Sequence, residues 1–595
     1  MKNTNKAIAF SLAMLLCSWL HTGFADPNLQ QLFDQNANKV REPNLYNLDP
    51  LSDPSKPSNK PLFEGVPEPG ERPKESTLKL PGKPAEGPID ESDKEARILV
   101  QKIVFQGNNT FSDEELSEVT NPYLNRRLSG SDLEQLRYQL TLFYVDKGYI
   151  SSGAVIENQT FKDGDLKVKI VEGQLSDVRV SGNGWLREQY IRDRLMGDPD
   201  EPLNTNQLQK RYSRLLNDPL IDRLNGTLLP GAKPGEAILD LKVTRRRNYG
   251  LALSADNFSP PAIGGYTGRI DTWIANLTGF GETINFNFNT LSGAQNYYAG
   301  IDIPLTPQGT RFAFHYTNSN TVLVEQPFSV LNIASNIISY DAQLLHPFIL
   351  DVNQILTVGF NFNIRQDITT IDGNDPGRPG SHNGKNQETV LRLWQDYIYQ
   401  ERNIALNLRS TVSVGVDALG ANITTQVGDG RFVDWILQAA GRYSFPSTGA
   451  YISLSGALQL SDDELLPLEK LAIGGFFTVK GYRQNYLVRD EGFYTALEAH
   501  LPLFWGQTGL PYGIYLVPFL NYGGAWDYRQ SGTNLFSTGI GIDGQYNWVG
   551  FDGANQSLSA SLYWANRLTD YRMTPGTPYD LQDNGVNFQM RLQVF

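Results

Sequence analysis

Between residues 246 and 595 apolar and polar positions alternate with a period of two. In the run TINFNFN, Ile284, Phe286 and Phe288 fall on one side of an extended chain, and Asn285, Asn287 and Asn289 fall on the other. RFAFHY likewise puts Phe312, Phe314 and Tyr316 on one face, and the pattern returns in NYYAGIDI, YISLSGALQL, GFYTALEAHL, SLSASLYWA and VNFQMRLQV. Clusters of Gly, Asn, Asp and Pro separate these runs, and inserts such as DGNDPGRPGSHNGKNQ read as surface loops. A water-soluble barrel needs an apolar interior. Amides and charges on the inner face with aromatics outside predict instead a transmembrane antiparallel β-barrel, greasy without and wet within. At about 22 residues per strand and connection the region holds about 16 strands, enough to enclose an aqueous channel. A β-sandwich also alternates and is the competing reading for any single strand.

Upstream the period changes to that of helices. Residues 97–172 read as strand, helix, helix, strand, strand: ILVQKIVFQG, a helix opened by a Ser112/Glu115 capping box, a second opened by Ser131 and Glu134, then GAVIENQTF (153–161) and LKVKIVEG. The second helix carries Leu133, Leu136, Leu140, Phe143 and Tyr144 at helical spacing and stops at Gly148. Residues 173–245 repeat the plan, with helices around Leu186, Tyr190, Ile191 and Leu195 and from Thr205 onward, and strands GTLLP and AILDLKVTR. Two such α/β units in series suit docking modules better than one enzyme domain. Residues 41–96 are rich in proline and charge and read as an extended linker. Residues 26–40 form a short helix with Leu29, Leu32 and Phe33 on one face, on a tether long enough to act as a plug for the channel. Residues 1–25, with Lys2 and Lys6 ahead of an apolar stretch and small residues at Gly23 and Ala25, read as a cleaved secretory signal peptide.

Composition narrows the function. The one cysteine, Cys17, lies in the expected leader, so no disulfide framework is anticipated. A net charge of -13 offers no basic stripe and argues against nucleic acid as a partner. The mean hydropathy of -0.35 suits either a soluble protein or a barrel whose alternate residues face water. Beyond the leader the histidines are His315, His346, His382 and His500, with no metal-ligand spacing, and no GxxxxGK[ST] loop occurs, so neither a metal, a cofactor nor nucleotide-driven chemistry is expected. The chain is read as a non-enzyme, the rival being a barrel lipase or protease built around His500.

Four segments carry a resemblance over nearly the whole chain after the leader: LEQLRYQLTLFYVDKGYI with LKVKIVEG, LLPGAKPGEAILDLKV, Asp256-Asn257, and GGFFTVKGYRQNYLVRDEGFYTALE. The sequence resembles the two-partner secretion transporters, the TpsB or hemolysin-activator family of the POTRA-barrel superfamily. The resemblance implies an outer-membrane pore with two periplasmic POTRA domains. Its cargo would be a large exoprotein, captured unfolded and secreted without nucleotide hydrolysis. Outer-membrane lipid surrounds the barrel, and the barrel-assembly machinery acts as partner during biogenesis. A barrel-assembly insertase of the same superfamily is the alternative, and a passive porin a weaker one.

The resemblance also implies a lumen loop whose tip, Val479-Lys480-Gly481-Tyr482, meets a wall motif at Phe519, Asn521 and Gly523. The family has arginine and aspartate where this chain has Lys480 and Asn521, so a bidentate ion pair between these two is not available. Lys480 then bonds the amide, finds another carboxylate, or yields its role to Arg483. For cargo, the expected docking edge is Ala154, Val155 and Ile156 in the strand beside the helix bearing Leu136 and Leu140. At the C-terminus Phe588, Met590, Leu592 and Val594 set one phase of the alternation and Phe595 falls in the other.

Overall fold

The computed structural model describes residues 76–82, 97–159, 164–198, 201–351, 353–375, 385–423, 430–503, 512–550, 555–573 and 576–594. The expected leader (1–25), the plug helix with Leu29, Leu32 and Phe33, and Phe595 lie outside the described residues.

The first α/β unit has a three-stranded sheet in the order Lys102–Gln106, Asp165–Val171, Gly153–Val155, with the first pair parallel and the second antiparallel. Helices α1 (Asp113–Thr120) and α2 (Gly130–Asp146) cover it, and Leu116, Leu136, Leu140, Tyr144, Val168 and Ile170 form the core. The Ser112/Glu115 box closes as expected. The box of α2 is formed instead by Ser129 and Asp132, two residues before the expected Ser131/Glu134. Both pairs have the required spacing, and the earlier one wins because the Asp132 carboxylate reaches the Ser129 N–H at 2.8 Å.

The strand expected over 153–161 is shorter than its sequence suggested. It ends at Val155, and the Gln159 side-chain amide then takes the place of a backbone ladder, donating to Lys167 O and accepting from Lys167 N, both at 2.8 Å. The first strand is also divided: Ile98–Val100 pairs with Arg126–Leu128 rather than joining the main sheet.

The second unit orders its strands Thr77–Lys79, Ile221–Pro230, Glu236–Arg245, Gln174–Ser181. Helices α3 (Glu188–Leu195) and α4 (Thr205–Leu216) pack Ile191, Leu195, Leu208 and Leu215 onto it. The linker reading of 41–96 therefore needs correction at its end, because Thr77–Lys79 is an edge strand parallel to Ile221–Pro230. Leu78 packs on the core beside Gly226, whose missing side chain leaves the space, and the Tyr212 hydroxyl donates to Thr77 O.

Sixteen antiparallel strands from Tyr249–Asp256 to Val586–Gln593 close on themselves, the last pairing with the first. Closure removes every free edge, which a lipid environment requires. In Gln354–Ile371, Asn361, Asn363, Arg365, Asp367 and Thr369 are buried inside, while Phe360 lies exposed on the other face. Ile270, Ile284, Phe286, Phe312 and Phe314 face outward, as the alternation predicted. No helix among the described residues is long and apolar enough to cross a membrane.

Candidate functional site: the loop inside the barrel

The connection between strands Ala450–Ser461 and Glu491–Pro502 does not stay outside. It folds into the lumen around a two-stranded hairpin, Leu471–Ile473 with Leu487–Arg489, and buries Val479, Lys480 and Tyr482 against the wall. The expected tip and wall motifs meet. Gly481 takes φ +94°, a left-handed turn that glycine adopts at little cost, with Ala565 directly beside it. Gly523 leaves room for Val479, and a Cβ there would stand 3.0 Å from the valine methyl. Phe519 lies beneath the Lys480 ammonium, 5.2 Å from nitrogen to ring centre, with Phe476 and Tyr563 at 4.9 and 5.3 Å.

The side chain of Lys480 pairs with neither motif residue but with Glu498, Nζ to Oε1 2.5 Å. Asn521 accepts the Lys480 backbone N–H at 3.4 Å, and its own amide nitrogen has no hydrogen-bond partner among the described residues. The Glu498 carboxylate is shared with His500 at 3.2 Å, and His500 approaches Asp543 at 3.6 Å. His500 thus lines the lumen between the Glu498 and Asp543 carboxylates.

Arg483 makes the two-point grip that Lys480 cannot. Its Nε and Nη2 each donate to Asp583 at 2.7 Å, and Nη1 reaches Glu325 at the same distance. Burial alone would raise the Asp583 carboxyl, but hydrogen bonds from Arg483 and Tyr571 outweigh it and hold the group below the ordinary aspartate value. Tyr482 anchors the tip to the wall through its hydroxyl, which bonds Thr569 Oγ1 at 2.5 Å and Phe536 O at 3.1 Å.

A second anchorage, absent from the sequence reading, holds the base of the loop on another part of the wall. Glu469 accepts two hydrogen bonds from Arg392 Nη2, at 2.7 and 2.8 Å, and one from Arg365 at 2.8 Å, while Arg365 also pairs with Glu388. Lys470 bridges Asp490 and Asp527. Only the phase of alternation could have found these residues: Arg365, Arg392 and Glu498 are charges at inward positions of strands, where a partner must come from the lumen.

At the expected docking edge, Val155 is exposed, Ala154 buried and Ile156 packed on the core. Leu136 and Leu140 are wholly buried and offer no surface, because the helix turns its leucine stripe onto the sheet. Among the described residues no cluster of metal-ligating side chains occurs.

The comparisons with known proteins agree with this geometry. Residues 98–173 match the model of the POTRA domain, ShlB-type. Residues 235–570 match that of the haemolysin secretion/activation protein ShlB/FhaC/HecB. The heme/hemopexin transporter protein HuxB of Haemophilus influenzae strain 86-028NP is 23% identical over 455 residues, covering 72% of this chain and 76% of that protein. The outer membrane transporter CdiB of Dickeya dadantii is 20% identical over 476 residues, covering 76% and 81%. The solved structure of CdiB from Escherichia coli superimposes with a TM-score of 0.63 at 18% identity, over 85% of this chain and 92% of that one.

Proposed function

Because the chain belongs to the haemolysin secretion/activation family ShlB/FhaC/HecB, whose members are outer-membrane transporters of exoproteins, we propose that it captures one large exoprotein in unfolded form and threads it through the barrel without nucleotide hydrolysis. The observation that carries this reading is the lumen loop: a channel filled by its own chain, held through side-chain contacts rather than by continuous sheet, can be vacated. Both α/β units, read as POTRA domains over 97–172 and 173–245, precede the barrel in the chain and sit in the periplasm. Capture proceeds by strand addition at Gly153–Val155, an edge of the first sheet. Outward movement is drawn by folding of the cargo at the surface.

The variant Val155→Cys, in a chain whose one cysteine is Cys17, tests this directly. An exoprotein carrying introduced cysteines along its chain and stalled in transit should, on addition of a thiol oxidant, form a disulfide with the thiol at position 155, and deletion of the transporter should remove one protein from the medium while the other outer-membrane barrels persist. Loss of many barrels together, or no cross-link to the introduced thiol from any stalled cargo, would overturn the proposal.

A further inference from the structure

The second α/β unit touches the rim of the barrel through an exposed patch that the transport reading does not use. The patch surrounds Trp185, which is 77% exposed in the turn before α3. That turn lies on the periplasmic hairpin Asn276–Glu282: the Arg187 N–H donates to Gly279 O at 3.2 Å, and a Cβ on Gly279 would stand 2.8 Å from Trp185 O. Two more large apolar side chains of the hairpin lie open, Leu277 at 55% and Phe280 at 51%. They continue the outward-facing band of the two strands the hairpin joins, where Ile274 and Ile284 are paired and exposed.

The charge of the patch is opposite to that of the chain. Arg187 holds its guanidinium 3.6 Å over the Phe280 ring, and the Arg245 guanidinium lies against Gly184, next to Trp185. Neither arginine forms an ion pair among the described residues, in a protein of net charge -13. A guanidinium stacked by one face on an aromatic ring keeps its N–H edges free for a planar or tetrahedral oxyanion. An exposed tryptophan continuous with a lipid-facing band marks the depth of the headgroups.

We infer that Trp185, Arg187 and Arg245 form a docking surface for anionic phospholipid headgroups in the leaflet facing the α/β units, fixing the second unit to the membrane beside the barrel. Tryptophan and the hairpin's Leu277 and Phe280 enter the interface, while the arginines take the phosphates. The unit is also held on the rim by Arg214, whose Nε donates to Leu350 O at 2.6 Å, so that lipid contact is added to a preset position.

The test uses the full chain, reconstituted in phosphatidylethanolamine vesicles with and without phosphatidylglycerol. Trp185→Cys carries an environment-sensitive fluorophore, and Glu114→Cys, on the exposed face of α1, serves as the control. Brominated lipid should quench the label at 185 and not at 114, and phosphatidylglycerol should deepen the effect. The double variant Arg187→Gln, Arg245→Gln should weaken the phosphatidylglycerol response on the order of fivefold per arginine removed. A label at 185 that aqueous iodide reaches as readily as the label at 114 would overturn the proposal. So would one shielded from both quenchers, since the occupant would then be protein. Heat-modifiable migration verifies that each variant is folded. Co-purification of phosphatidylglycerol with the double variant, against the parent, gives a second reading that needs no label: equal retention counts against the site.

Discussion

Replacing Glu498 by glutamine removes one charge from a pair whose other member, Lys480, is 4% exposed. Breaking a buried ion pair from one side costs about 3–5 kcal/mol, because the remaining charge stays desolvated. Two features of the site reduce that figure. The glutamine oxygen still accepts from the ammonium, and the rings of Phe476, Phe519 and Tyr563 face the cation at 4.9, 5.2 and 5.3 Å. A net cost of about 2–4 kcal/mol to the docked tip follows, equivalent to a rise of roughly 30- to 1,000-fold in its undocked fraction.

Val479 reports it, since it is fully buried against Gly523 when the tip is docked. In a Val479→Cys background, maleimide labelling from the medium should accelerate by that factor in Glu498→Gln. The double variant Lys480→Met, Glu498→Gln supplies the control for mechanism. With both charges gone, a methionine among three aromatic rings is well accommodated, and labelling should return to within about tenfold of the parent. A double variant as accessible as the single one would refute the reasoning, because the cost would then not arise from a stranded cation. So would a single variant with unchanged labelling.

Two further outcomes are expected. Leu78→Asp puts a carboxylate into the core of the second unit and should release strand Thr77–Lys79, at a cost of about 2 kcal/mol or more, so that trypsin cuts after Lys79 about 30-fold faster; unchanged cleavage would mean that the strand contributes nothing to its own seating. The Asp583 carboxyl lies outside the spanning strands and is held below the ordinary value of 3.8, so the Arg483 grip is complete above that pH and is lost as pH falls through the lowered value. Opening events in planar bilayers should therefore stay level from neutral down to about pH 4 and rise only below it, and a rise centred near neutrality would contradict the assignment.

The barrel was legible because its signal is periodic and repeated over many strands: each inward amide and outward aromatic restates the same solvent geometry. The α/β units were legible through helix caps and leucine spacing, with an error of two residues where Ser129/Asp132 and Ser131/Glu134 compete for one role. Strand 77–79 was not legible, since three residues in a proline-rich stretch carry no period; its seat is built by Gly226 and Tyr212, far along the chain. The tip motif could be read, but its electrostatic partner could not. Nothing local distinguishes Glu498 from any other inward carboxylate until the loop brings Lys480 to it.

The departure at the tip makes sense once the whole loop is considered. An arginine at position 480 facing an aspartate at 521 would concentrate the hold at one point. Here the hold is divided: a two-point arginine grip moves three residues along to Arg483 and Asp583, and a lysine is left on Glu498, on the neighbouring strand. At the base, Glu469 lies between Arg365 and Arg392 with no exposure at all. Exposure does not rank the two ends: at the tip Glu498 and Glu325 keep 19% and 16% but Lys480 and Asp583 only 5% and 1%, and at the base Glu469 is buried while Lys470 and Asp527 keep 21% each. A charge that is already partly hydrated loses less when its partner leaves, so at each end the dry pair carries the larger cost of release. Withdrawal of the loop is therefore expected to be limited by Arg392–Glu469 at the base and Arg483–Asp583 near the tip, the two grips whose carboxylates are kept from water.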